Sequence, residues 1–152
     1  MELQKLVAFE NAFDRVFKLV EAEGSLSQGG VVVQDCLALL ANLVRHNAPN
    51  QSLFRETGNV AKLKALLPGG ARRTEDEEWT SPQKDKNLWG LLAVLRMFFV
   101  PGSTGTQQNQ EVFQRQGVLK VVLELAFNDS TPVPIKTEVS NISVPQCIRV
   151  ST

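Results

Sequence analysis

The 152 residues predict an all-α fold built from stacked helical repeats, and three observations carry that prediction. First, one segment is written three times. Counted from Gln4, Gln51 and Gln110, an apolar residue stands at +3, Gly or Asn at +7, and apolar residues at +9, +12 and +15. The copies read Val7, Asn11, Phe13, Val16, Leu19; then Phe54, Gly58, Val60, Leu63, Leu66; then Phe113, Gly117, Leu119, Val122, Leu125. Their starts lie 47 and 59 residues apart. Second, an apolar run repeats as well: Leu39-Leu40-Ala41-x-Leu43 returns as Leu91-Leu92-Ala93-x-Leu95, 52 residues on. Third, the apolar spacing along both runs is helical, and the β-branched start Val31-Val32-Val33 has no partner strand. A unit recurring at such a period cannot bury its apolar face alone, so it stacks on its neighbours.

The elements follow in order. Residues 2–22 carry Leu3, Leu6, Val7, Phe13, Val16, Phe17 and Val20 at helical spacing, with a break at Asn11. Gly58 and Gly117 fill the same slot in the other copies. Gly or Asn there fits a left-handed turn that ends one short helix before a longer one begins. Gly24 to Gly30 reads as a loop, and Val31 to Arg45 as a strongly apolar helix closed by Asn47 to Asn50. Pro68-Gly69-Gly70 stops the next helix, and Arg72, Arg73 and the acidic run Glu75 to Glu78 make 68–80 a solvated charged loop within the domain. Ser81-Pro82 supplies a helix start, and Asn87 to Val100 a second apolar helix including Leu88, Trp89 and Phe98. Pro101 to Gln108 is a loop before the third copy. Beyond Phe127, Pro132 and Pro134 break the chain, Ile135 to Ile142 offers one short helix, and 144–152 reads as an unstructured tail.

Three helices per unit, with a small turn residue between two of them, is the armadillo pattern. Such arrays repeat every 40–47 residues or so, which the first spacing fits. The second spacing is absorbed by the charged loop and by the Gly/Thr loop at 101–108. The expectation is an armadillo-like helical-repeat solenoid, partial, of roughly two to three repeats over residues 1–143. The chain opens and closes part-way through a unit, as if cut from a longer solenoid. Without capping helices it is expected to be marginal in isolation and to self-associate through apolar ends.

Bulk properties narrow the function. Lys plus Arg and Asp plus Glu both total 16, and the balance is local, so no basic face for a phosphate backbone is evident and nucleic acid is not expected as partner. Eight Phe, two Trp and no Tyr suggest rings used as core filler. Cys36 sits in an apolar helical run and is expected as a buried reduced thiol, far in sequence from Cys147. The first residues lead directly into an amphipathic pattern rather than a signal peptide, and no apolar run reaches the ~20 residues of a membrane span. The chain reads as cytosolic.

Catalytic chemistry finds little purchase. The one histidine, His46, ends an apolar helix, where the macrodipole favours it, and it has no ligand partners at metal-binding spacing. The acidic run lies in a loop with no fixed separation for acid–base work. No phosphate-binding glycine motif or nucleophile elbow occurs. No enzyme activity, cofactor or metal is expected. Asn50-Gln51 and Asn109-Gln110 open the short helices, and their side-chain amides are expected to cap free backbone N–H groups. The polar positions on the third helix of each unit, Lys18, Lys62, Lys64, Lys120 and Glu124, are the candidate protein-binding residues. A generic armadillo adaptor that holds an extended peptide is the second reading. It expects a ladder of Asn on successive third helices, and 60–67 and 118–126 contain none.

Several stretches carry a resemblance. Leu6-Val7-Ala8-Phe9-Glu10-Asn11-Ala12-Phe13-Asp14-Arg15 is the most specific; Gly29 to Leu37 and Leu43 to Phe54, with its Asn50-Gln51-x-x-Phe54, come next. With Trp79 to Lys84 and Phe113 to Leu125, they resemble the globular head of the general vesicular transport factor family, coiled-coil tethers of ER-to-Golgi traffic. The resemblance covers roughly residues 3–142. It implies an armadillo-like head followed in the full-length protein by a coiled coil and an acidic tail. It further implies a homodimer, peripheral on the cytoplasmic side of the Golgi membrane, that works with a Rab GTPase, golgins and SNAREs to dock vesicles before fusion. This chain departs in holding only part of the head, in lacking heptads and an acidic terminus, and in the sequence from Ser143 to Thr152.

Overall fold

The computed structural model describes residues 11–68 and 81–142. Among these the chain runs through nine helices and no strand. They are α1 (Ala12–Ala22), α2 (Ser25–Gln28), α3 (Val31–Val44), α4 (Ala48–Glu56), α5 (Asn59–Leu66), α6 (Pro82–Phe98), α7 (Thr106–Arg115), α8 (Val118–Phe127) and α9 (Val133–Asn141). The expected short helix before Asn11 (with Gln4 and Val7), most of the charged loop (69–80) and the tail lie outside the described residues.

The turn slot behaves as its chemistry requires. Asn11, Gly58 and Gly117 sit at φ 61°, 74° and 77°, each immediately before a helix. Only Gly, and Asn among residues with a Cβ, visits that left-handed region at little cost. The helix after the turn is not the longer one: α5 has 8 residues against 9 in α4, and α8 and α7 have 10 each. The long helices are α3 and α6, with 14 and 17 residues.

Other boundaries moved. The Gly24–Gly30 stretch is not all loop, because Leu26 is buried and draws Ser25 to Gln28 into one helical turn. Helix α6 starts at Pro82, as Ser81-Pro82 predicts, although the extended Ser81 makes no side-chain cap bond. Helix α7 starts at Thr106, whose hydroxyl donates to the Val100 carbonyl at 2.8 Å, so part of the supposed loop is helical. Pro134 stands in the first turn of α9, a position that needs no N–H, and starts the helix rather than breaking the chain.

The helices stack in three layers: α3–α6–α9, α1–α5–α8 and α4–α7. The α3–α6 seam is close because Gly90 faces Leu37, and a Cβ at Gly90 would stand 3.4 Å from that side chain. Between the layers runs a column of rings. Phe54 and Phe113, equivalent in the repeat, each pack on Phe98 with centroids 5.0 Å apart. Phe13 meets Phe54 edge-on at 5.1 Å, and Phe99 meets Phe113 at 5.2 Å. The units therefore share one continuous apolar interior, as the repeat predicts. Two described rings depart from the expected role as core filler: Trp89 is 52% and Phe127 82% exposed.

Candidate protein-binding surface

A catalytic site would be found among the buried polar groups. Asn50 and Gln51 do not cap N–H groups with their amides, as the sequence suggests. Their side-chain nitrogens donate backwards, Asn50 to the Leu43 carbonyl at 2.7 Å and Gln51 to the Val44 carbonyl at 2.9 Å, closing the end of α3. Helix α4 is N-capped instead by Asn47, whose Oδ1 accepts from the Asn50 N–H at 3.1 Å. Asn109 repeats the arrangement one unit on, donating to the Phe98 carbonyl at 2.8 Å. Gln51 joins the two units. It donates to the Met97 carbonyl at 3.2 Å, and its Oε1 accepts from Asn109 at 2.8 Å. Arg55 donates to the Asn109 Oδ1. The bonds to Leu43, Val44, Met97 and Phe98 close helix ends, and those from Asn109 to Gln51 and from Arg55 to Asn109 join the two units, so the spine is structural.

The five predicted residues all fall on the α1–α5–α8 layer. Asp14, not singled out by the sequence, is the centre of the first group: Lys18 lies 2.8 Å from it and Lys62, reaching across from α5, 2.6 Å. Hydrogen bonds from those two ammonium groups hold the Asp14 carboxyl at about 2, below its ordinary 3.8. Lys64 reaches the opposite way, to within 3.2 Å of where a side chain on Gly117 would start. Lys120 and Glu124 pair with each other along α8 at 3.9 Å. The structure thus groups Lys18 with Lys62 and Lys120 with Glu124, and makes no ion pair between the groups. A pocket of about 290 Å³ opens beside Asp14, Thr57, Asn59 and Lys62, and the buried Asn59 Oδ1 has no hydrogen-bond partner.

Elsewhere the chemistry is quiet. Cys36 is a free, buried thiol whose pKa is raised by that burial, as its apolar setting predicts. His46 closes α3 with φ 49°. Among the described residues no group of His, Cys, Asp or Glu is placed to hold a metal ion, and no helix is long and apolar enough to cross a membrane.

A stacked all-α array whose buried amides close helix ends and join successive units is an armadillo-like scaffold. The chain is similar to the crystal structure of Uso1-1, with TM-score 0.85 and 37% identity over 93% of this chain and 22% of that one. In sequence the chain is 41% identical over 134 residues to the intracellular protein transport protein USO1 of Saccharomyces cerevisiae. It is 36% identical over 149 residues to the general vesicular transport factor p115 of Homo sapiens. These matches take in 88% and 97% of this chain, but only 7% and 15% of the two relatives. No family model matches. The chain belongs to the Uso1/p115 general vesicular transport factor family and corresponds to part of its armadillo-like head.

Proposed function

We propose that this chain is a protein-binding scaffold segment of a vesicle-tethering factor, acting in vesicle docking before fusion in ER-to-Golgi and intra-Golgi transport. The observation that supports the reading is joint: 41% identity to yeast USO1 together with a TM-score of 0.85 against Uso1-1. The mechanism is multivalent capture. A rigid stack offers modest contacts, and avidity through the rest of a longer homodimer supplies the strength. Partners by family are a Rab GTPase, golgins and SNAREs, reached from the cytoplasm by a protein held peripherally on the Golgi membrane. Candidate contact residues on this segment are Lys18, Lys62, Lys64, Lys120 and Glu124. We read it as non-catalytic, because its relatives are named as transport factors.

The test is a segment exchange. The matching stretch of yeast USO1 is replaced by residues 3–142 of this chain, and growth and ER-to-Golgi delivery of a secretory cargo are followed at the restrictive temperature of a USO1 mutant. Restored delivery is expected. A chimaera that is abundant and folded yet leaves cargo in the ER overturns the assignment.

A further inference from the structure

Asn59, at the start of α5, is buried without all the partners that burial demands. It is 2% exposed, and its side-chain nitrogen donates to the Thr57 hydroxyl at 2.7 Å. That hydroxyl gives its one proton to the Leu53 carbonyl at 2.6 Å, so towards Asn59 it can only accept. The amide is thereby fixed with its nitrogen facing Thr57, and the buried Oδ1 is the end left unpaired. Such an acceptor destabilises the fold that holds it. The repeat does not require it. The 59-residue register between the second and third copies sets Val118 in the place of Asn59 and Val121 in that of Lys62. The 47-residue register sets Ala61 in the place of Asp14. Val118 is fully buried, so the next junction closes the same position with an apolar side chain.

Asn59 stands on the wall of the pocket of about 290 Å³, a space well above the ~30 Å³ that one water takes in the liquid. Phe13 and Leu53 give that pocket its apolar wall. Both Asp14 oxygens are already engaged, Oδ2 by Lys18 and Oδ1 by Lys62. Lys62 spends one of its three N–H donors on that bond, and its side chain is 41% exposed. The side chains therefore offer one unpaired acceptor and one cationic donor, three residues apart on α5. We infer that the pocket binds an amide group, whose N–H donates to Asn59 Oδ1 and whose carbonyl accepts from the Lys62 ammonium. The group is a backbone peptide or a primary carboxamide, and its alkyl part lies against Phe13 and Leu53. An amide carries donor and acceptor on separate atoms, as two groups on neighbouring turns of one helix face ask. A carboxylate has no proton for Asn59, and an ammonium ion would meet the charge of Lys62.

The test uses the full chain and small amides, so it succeeds or fails apart from the transport role. The side-chain amide resonances of Asn59 are followed by NMR as N-methylacetamide, for a peptide group, or propionamide, for a carboxamide, is added. A saturable shift in the millimolar range is expected, and the tighter probe assigns the source. N,N-dimethylacetamide keeps the carbonyl but has no N–H, and should bind about tenfold more weakly or worse. Lys62→Met should also weaken binding about tenfold. Asn59→Val should melt at or above the parent, because an unpaired acceptor is removed, while amide binding, now read on the Thr57 methyl, is lost. No saturable shift leaves the pocket to water and overturns the site. Equal binding of the dimethyl amide, or an Asn59→Val variant that binds like the parent or melts well below it, overturns it too.

Discussion

Asp14 ties two helices through one carboxylate, with Lys18 on its own helix and Lys62 on the next unit. Its folded pKa of about 2 lies below the ordinary 3.8, so the pair stabilises the fold above roughly pH 4 and that contribution is lost as pH falls towards 2. Asp14→Asn should therefore melt below the parent at pH 5 and together with it at pH 2. Thermal melts at low ionic strength check this; the gap at pH 5 should also close in about 1 M salt, where the Debye length is ~3 Å. A gap that stays constant from pH 5 to 2 would mean packing, not charge, sets the effect. The sequence could mark Lys18 and Lys62 as polar positions on helices. It could not mark Asp14 as their shared partner, since 48 residues separate Asp14 from Lys62.

At the level of elements, the Gln51 amide is the joint between successive units. It closes α3 through Val44, touches α6 through Met97 and receives Asn109 of α7. Replacing it with Leu strands buried carbonyls and an amide, and each buried group left unpaired costs about 1–3 kcal/mol. Gln51→Leu is expected to lower stability by at least about 2 kcal/mol, whereas Gln107→Leu on the exposed start of α7 should stay within about 0.5 kcal/mol. Urea unfolding midpoints compare the two, and equal values would show that the amide spine is not a clamp. Local signals found these helices because capping and period are local. The three left-handed turns were readable for that reason, and so were α3 and α6. The direction in which Asn50, Gln51 and Asn109 point was not, because their acceptors are the ends of other helices.

For the whole molecule, the described surface carries apolar side chains at both ends of the stack. Val32 and Leu39 (43% exposed) lie on α3 with Leu19 on α1, while Phe127 (82% exposed) ends α8. An apolar face of this kind favours weak association in water. Sedimentation velocity from low to high concentration should show a rising weight-average mass, reduced by Leu39→Lys with the helical circular-dichroism signal unchanged. A single monomeric boundary at all concentrations would contradict the expectation. The repeat predicted this shared interior, and Phe54 and Phe113 do lie on either side of Phe98.

By itself the sequence determined the class of the fold, its unit and its family, because periodicity, turn residues and a specific run such as Leu6 to Arg15 are properties of neighbours along the chain. Only the tertiary structure decided which helices form a layer, that Asp14 gathers two lysines, and that Trp89 stands in water while Leu37, its equivalent, is buried. Exposure depends on what lies across the seam. Leu37 has Gly90 of α6 packed against it, a contact between residues 53 apart that no local pattern reveals.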